Sequence, residues 1–242
     1  MSTVNGQVSP RVVRIRSAKG LSRAAVEMAD AAFRDFVEDP RFSCLAGKGV
    51  VRQNGYRIGV YGRLGAPEAS SALSEDLASF SSEDADDPSG FSAFVAIFPD
   101  TPAGSESDFE TRLWQQLQGL HELDDPESGW DPRVSDDPGN PHFSFSYAGR
   151  AYFVVGLHPQ SSRLARRFRW PALVFNPHAQ FERLRASGHF ERLQHAIRDR
   201  EMALQGSLNP NLADFGERSE ARQYSGRATE SEWRCPFSKK SG

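Results

Sequence analysis

Two short apolar segments, each followed by a histidine, most constrain how this chain folds. Residues 151–157 are rich in β-branched and aromatic side chains and run directly into His158, and residues 172–175 are followed within three positions by His178. Apolar runs of this length, bounded by Gly, Pro or Asn, indicate buried strands. The segment between them is long enough for the crossover that parallel strands require. We therefore predict that both histidines lie at one edge of a sheet, where open α/β sheets usually bind ligands.

The rest of the chain predicts helices interleaved with strands. Apolar residues at helical spacing predict helices over 21–37, 67–80, 105–123 and 178–204, and apolar or alternating segments predict strands over 12–15, 56–64, 91–98, 143–147 and 151–157. The last two strands flank a short Gly-containing turn and form a hairpin. Residues 40–49, 81–90 and 124–141 are predicted loops.

These elements favour an α/β (α+β) fold with a mixed β-sheet flanked by helices. We expect a flexible N-terminal arm at residues 1–18 and a single domain over residues 19–242. From residue 205 the chain is irregular yet keeps Phe215, Tyr224 and Trp233. Such a segment is too aromatic for plain disorder, so we expect this tail to wrap back over the domain.

Composition limits the class of partner and the compartment. The 242 residues carry a net charge of −3 with 25% charged residues, which argues against a nucleic-acid or membrane-surface role. No apolar run of about eighteen residues is present, and the first residues lack the apolar core of a signal peptide. Cys44 and Cys235 are too few for a disulfide framework, and each is either a structural or a reactive thiol. We expect a cytoplasmic protein.

The two histidines are the candidate metal ligands. A neutral imidazole is the commonest metal ligand in proteins, and a strand end fixes its direction. Asn176 and Pro177 suit the start of a helix, whose positive terminus favours a neutral imidazole at His178. The alternative for His158 is a capping or core-edge histidine hydrogen-bonded to the backbone, and the alternative for His178 is packing at the start of the helix.

A cluster of arginines follows the first histidine. Arg163, Arg166 and Arg167 are spaced to share one side of a predicted helix. Guanidinium groups suit paired carboxylates or phosphates, so the cluster points to an anionic ligand. The alternative is a solvated basic surface, which is the usual location of arginine.

Three segments resemble the YqcI/YcgG family. They are GLHPQSSRLARRF, LVFNPHAQFERLR, and the tail from QGSLNPNLADFGERSEARQYSGR to WRCPF. The resemblance covers most of the chain and is strongest over residues 143–237. Upstream it departs from the family pattern, because Ser43 stands before Cys44 where the family usually has proline.

This resemblance implies a haem-dependent N-oxygenase. Characterised members of the family are similar to the arginine N-hydroxylase of D-cycloserine biosynthesis and to enzymes that act on other guanidines or on the lysine amine. The resemblance therefore implies haem b, dioxygen as co-substrate, an external electron donor or reductase, and a small guanidine or amine substrate. The oligomeric state, including a homodimer, stays open.

Site residues follow as hypotheses from this resemblance. We expect His158 to ligate the haem iron, with His178 as the alternative or as a distal partner. We expect Arg163, Arg166 and Arg167 to pair with the haem propionates. We expect Phe153, Phe175 and Phe181 to form the walls around the macrocycle. A cationic substrate requires a carboxylate, for which the candidates are Glu220, Asp214 and Glu182. The competing interpretations are a non-catalytic haem carrier or sensor, and a protein without haem whose histidines are structural.

Overall fold

A computed structural model describes residues 15–17, 23–86 and 91–239. Its strands are β1 (Ile15–Ser17), β2 (Tyr56–Val60), β3 (Ala93–Ile97), β4 (Phe145–Tyr147), β5 (Arg150–Leu157) and β6 (Ala172–Pro177). Its α-helices are α1 (Arg23–Glu38), α2 (Leu45–Arg52), α3 (Pro67–Asp86), α4 (Glu106–Leu123), α5 (His178–Ala186), α6 (Phe190–Gln205) and α7 (Ala221–Tyr224). No α-helix among these residues has a stretch long and apolar enough to span a membrane.

The strands form one mixed sheet in the order β1-β2-β3-β6-β5-β4. β1, β2 and β3 are parallel, whereas β6 is antiparallel to both of its neighbours, and β4 and β5 form the predicted hairpin. This confirms the predicted mixed sheet and α/β class.

Side chains that alternate along each strand pack into two hydrophobic cores, one on each face of the sheet. On one face, Phe94, Ala96 and Phe175 pack with α3 and α4, and on the other, Val95 and Ile97 pack with α1. A period of two along a strand produces this division, since neighbouring side chains point to opposite faces. The sheet is therefore covered by helices on both sides.

The C-terminal tail returns to the first of these cores, as predicted. Tyr224 is fully buried in it and stacks on Trp114, with ring centroids 5.6 Å apart. Phe237 is also buried there. Aromatic burial therefore orders a segment that has little regular secondary structure.

Several sequence predictions were wrong. Residues 45–52 are a helix rather than a loop, and residues 81–86 continue α3. The predicted helix over 178–204 is interrupted at Gly188, whose φ of +67° is a left-handed conformation that ends α5. The strand predicted over 56–64 ends at Val60.

The predicted flexible arm, residues 1–18, and the strand predicted over 12–15 fall mostly outside the described residues. The exception is Ile15–Ser17, which pairs with β2 at the edge of the sheet.

The most consequential error concerns the direction of β6. Leu157 of β5 pairs with Ala172, and Tyr152 pairs with Pro177, so the two strands are antiparallel. The connection between them contains only a short 3-10 helix, Leu164–Arg166, instead of the helix predicted for the arginines. An antiparallel neighbour needs no crossover, and the connection is free to be a loop.

Candidate functional site

The antiparallel pairing separates the two histidines. His158 follows the last residue of β5 and His178 follows the last residue of β6, at opposite ends of this antiparallel strand pair. The paired residues nearest to them, Ala172 and Pro177, are 5 positions apart on β6, or about 17 Å at about 3.4 Å per residue. The prediction that the two histidines lie together, where they could share one ligand, is therefore wrong.

His158 is packed into the protein on its side of the sheet. It is 2% exposed and stacks on Phe109 with ring centroids 4.4 Å apart, and its Nε2 has no hydrogen-bond partner within the described residues. Burial lowers the pKa of His158 to about 4. The negative charge of Glu106 acts to raise this pKa, and the positive charge of Arg166 acts to lower it. None of the described cavities is lined by His158.

His178 lies in the wall of a pocket, which we call the α5–α6 pocket. This cavity of about 240 Å³ is bounded by α5, α6 and residues 212–223 of the tail. Its apolar wall consists of Ala46, Phe153, Phe181, Leu184, Phe190, Leu193, Ile197, Leu212, Ala213 and Phe215. Its polar wall consists of His178, Arg185, Gln194, Arg198, Glu201, Asp214, Arg218, Glu220 and Gln223, with Cys44 at one side.

The chemistry of His178 suits a neutral ligand nitrogen. The residue is 2% exposed, its ring lies 4.7 Å from that of Phe215, and its Nδ1 is buried without a hydrogen-bond partner in the described part of the chain. Burial lowers its pKa to about 4, with Arg185 and Arg133 adding to the effect and Asp131 opposing it. The imidazole is therefore neutral at physiological pH, as metal ligation requires.

Glu220 places a carboxyl group in the same pocket. It is 6% exposed, and its Oε1 accepts hydrogen bonds from Ser144 Oγ and from the Tyr224 hydroxyl, the latter at 2.8 Å. Burial raises its pKa to about 7, against the lowering effect of the hydrogen bonds from Ser144 and Tyr224 and of the nearby Arg185. This carboxyl changes its charge near neutral pH, which is the behaviour expected at a functional site.

Asp214 lies at the rim of the pocket. Its side chain is 51% exposed, and Oδ1 accepts hydrogen bonds from Gln194 at 2.7 Å and from Arg198 at 3.2 Å. Glu182 is adjacent to His178 on α5 but does not line the pocket. Of the three carboxylate candidates, Glu220 is the one that is buried against the cavity.

The predicted arginine cluster does not reach the pocket. Arg163 is buried, forms an ion pair with Glu201 and donates hydrogen bonds to Ser207. Arg166 donates to the Tyr224 carbonyl oxygen at 3.0 Å, and Arg167 donates to the Ser161 carbonyl oxygen at 3.0 Å. The contacts of Arg163 and Arg166 attach the β5–β6 connection to α6 and to the tail, whereas that of Arg167 lies within the connection.

Sequence reasoning found part of the pocket and missed the rest. It identified His178, Phe153, Phe181, Glu220 and Asp214, all of which line the cavity, whereas Phe175 is buried in the core. It missed the three arginines that line the pocket, which are Arg185 of α5, Arg198 of α6 and Arg218 of the tail. The apolar stripe of α6 was a usable signal, because that helix has no fully buried residue and its stripe faces the pocket instead.

Comparison with known proteins decides the family. The YqcI/YcgG family matches residues 33–238. The chain belongs to the YqcI/YcgG family. A family relative from Bacillus subtilis (strain 168), described as uncharacterized protein YqcI, is 27% identical over 213 residues, which cover 84% of this chain and 82% of the relative. No solved structure matches the chain.

The matched region contains every element of the α5–α6 pocket, since Cys44 and residues 178–223 lie within it. Membership of the YqcI/YcgG family therefore applies to the part of the chain that forms the candidate site.

Proposed function

We propose that this protein is a haem-dependent N-oxygenase that hydroxylates a nitrogen of a small guanidine or amine. The observation that supports it best is the buried, neutral imidazole of His178, whose Nδ1 has no hydrogen bond within the described residues, in an aromatic pocket that also holds the ionisable carboxyl of Glu220. The proposal includes dioxygen and an external electron donor, which the family resemblance implies, and a cytoplasmic location, which the composition of the sequence favours.

The pocket offers the donor set that haem requires. His178 would hold the iron, and Phe153, Phe181 and Phe215 would pack against the macrocycle. Arg185 and Arg218 would pair with the propionates, in place of the arginines that follow His158. When bound, haem supplies the activation of dioxygen for oxygen transfer to the substrate nitrogen.

The pocket has to open to admit this group. Its volume of about 240 Å³ is below the range of about 300–1,000 Å³ typical of small-molecule sites. The helix α6 forms one wall and has no fully buried side chain. Elements with few buried apolar contacts open at low cost in free energy, so α6 is the wall that we expect to move.

Glu220 would bind the substrate cation. Its pKa of about 7 keeps a large fraction of the carboxyl neutral at neutral pH. A guanidinium or ammonium within about 4 Å favours the ionised form and releases the proton. The hydrogen bonds from Ser144 and Tyr224 then hold the carboxylate in place. Asp214 at the rim is the second carboxylate available to a long substrate.

The test is hemin binding followed by turnover. We expect a Soret band at one haem per chain in the wild-type protein and in His158→Ala, and its loss or marked shift in His178→Ala. With a chemical or enzymatic reductant, oxygen and arginine or lysine, mass spectrometry should detect a product heavier by one oxygen atom.

Other outcomes would separate the alternatives. Haem binding without a substrate-induced spectral shift or an oxidised product would favour the carrier or sensor. Equal hemin binding by His178→Ala and the wild-type protein would contradict the ligand assignment, and no binding to the wild-type protein would remove haem from the proposal.

A further inference from the structure

We propose that Glu182 is a positioning residue for His178. Its carboxylate accepts a hydrogen bond from Nδ1–H and thereby leaves Nε2 of the imidazole free for a ligand. The inference rests on the proposed function in that it assigns Nε2 to the haem iron. It concerns the protonation site of the ring, which is a property of the protein without haem as well.

The two residues occupy the same face of α5. His178 is the first residue of the helix, and Glu182 follows at the i+4 position, where helical side chains are neighbours. The Glu182 Oε1 atom lies 3.8 Å from His178 Nδ1, which is buried and has no hydrogen-bond partner in the described part of the chain. The Glu182 side chain is 39% exposed, so a change of rotamer that closes this gap is not blocked by burial. In empty sites such hydrogen bonds are often long and shorten when the site is filled.

A chain of alternating charges holds Glu182 in place. Arg133 Nη1 lies 3.5 Å from Glu182 Oε2. The same guanidinium binds Asp131 through two hydrogen bonds, Nε to Oδ1 at 2.9 Å and Nη2 to Oδ2 at 2.6 Å. Asp131 is 1% exposed and accepts a further bond from the Ala151 N–H at 2.9 Å. The backbone of β5 is thus connected to the imidazole through Asp131, Arg133 and Glu182.

This arrangement is distinct from the substrate role considered for Glu182 in the sequence. Glu182 is not among the residues that line the α5–α6 pocket, whereas His178 is. The carboxylate lies 3.8 Å from Nδ1 without lining the cavity itself. Its negative charge is partly balanced by Arg133, so it does not attract a substrate cation as an isolated carboxylate would.

The consequence is a fixed tautomer. A carboxylate that accepts from one ring nitrogen keeps the proton there, orients the ring and makes the other nitrogen a stronger ligand. Removing such a partner typically costs about 10–100-fold in metal affinity. The same change removes negative charge near the ligand, so we expect the reduction potential of bound haem to rise.

The first test uses the protein without haem. In ¹⁵N-histidine-labelled protein, with His178→Gln used to assign the signals, NMR should show His178 protonated at Nδ1. Glu182→Ala should produce a mixture of tautomers, and Glu182→Gln, which keeps a carbonyl acceptor, should restore the wild-type pattern. Glu191→Ala, at an exposed position of α6, is the matched control and should leave the His178 signals unchanged. Circular dichroism checks that each variant is folded.

The second test is a hemin titration. Glu182→Ala should raise the dissociation constant about tenfold or more, with Glu191→Ala unchanged. The same His178 tautomer in Glu182→Ala and the wild-type protein would overturn the inference. Failure of the wild-type protein to bind hemin would instead refute the proposed function, and the NMR result would still decide the role of Glu182.

Discussion

His158 and His178 lie at opposite ends of the β5–β6 pair, because each follows the last residue of one of these two antiparallel strands. One packs on Phe109 and the other lines the α5–α6 pocket. Two histidines that look equivalent in the sequence therefore have different surroundings. The difference can be measured residue by residue.

Replacing His158 should change the stability of the protein in acid. Its folded pKa of about 4 lies below the value of about 6.5 expected when unfolded, so its contribution is present above pH 6.5 and is lost as pH falls toward 4. As the pH is lowered from 6.5 to 4, the free energy of unfolding should therefore fall by about 3 kcal/mol less in His158→Gln than in the wild-type protein. Urea denaturation at several pH values measures this. His195→Gln, at an exposed position, should follow the wild-type curve, and a parallel curve for His158→Gln would contradict the prediction.

Replacing Glu220 should have the opposite dependence on pH. Its folded pKa of about 7 lies above the ordinary value of 4.5, so its contribution is present below pH 4.5 and is lost as pH rises through 7. Glu220→Gln keeps an acceptor for Tyr224. The free energy of unfolding of this variant minus that of the wild-type protein should be about 3 kcal/mol higher at pH 8 than at pH 4. The same pH series measures it, with Glu191→Gln as control. If the difference does not change with pH, Glu220 does not titrate in this range.

Two glycine substitutions should shift stability in opposite directions. A Cβ at Gly156 would lie 2.7 Å from a ring carbon of Phe109 and 2.8 Å from the Tyr224 carbonyl oxygen, whereas a Cβ at Gly49 in α2 meets nothing within 4 Å. Gly156→Ala should lower the free energy of unfolding by about 1–3 kcal/mol through overpacking. Gly49→Ala should raise it by about 0.5–1 kcal/mol through helix propensity. Denaturant midpoints measure both, and equal effects of the two substitutions would contradict the geometry at Gly156.

Breaking the ion pair between Arg163 and Glu201 should loosen α6. The two side chains are 9% and 14% exposed, so Glu201→Ala leaves a buried guanidinium without its carboxylate, at a cost of about 3–5 kcal/mol. The double variant Arg163→Met/Glu201→Leu should cost less, because no charge is left unpaired. Glu27→Ala breaks an exposed pair with Arg23 and should cost about 1 kcal/mol or less. Hydrogen exchange should show faster exchange of α6 amides in Glu201→Ala, and unchanged α6 protection would contradict this role.

Much of the secondary structure could be predicted because its signals are local. The apolar runs that became β3 and β5 and the spacing in α1 and α4 each depend on residues close in the chain. The helix α2 was missed because Gly47 and Gly49 lower its helix propensity, and its start depends on Cys44, whose Sγ accepts from the Gly47 N–H at 3.4 Å. Arg163 was predicted to bind an anionic ligand but forms an ion pair with Glu201 of α6. In the sequence, a cluster of arginines looks the same whether it binds an anion or a carboxylate of another helix.

By itself, the sequence determined the α/β class, the approximate positions of most strands and helices, and membership of the YqcI/YcgG family, because hydrophobic period and motif are properties of the chain. The tertiary structure decided that β6 runs antiparallel to β5, that the α5–α6 pocket is lined by His178 and not by His158, and that the stripe of α6 lines that pocket. A buried strand has the same residue pattern in either direction, since its side chains alternate between the faces whichever way it runs. Direction is fixed only by pairing between residues distant in sequence, and the place of the site follows from it.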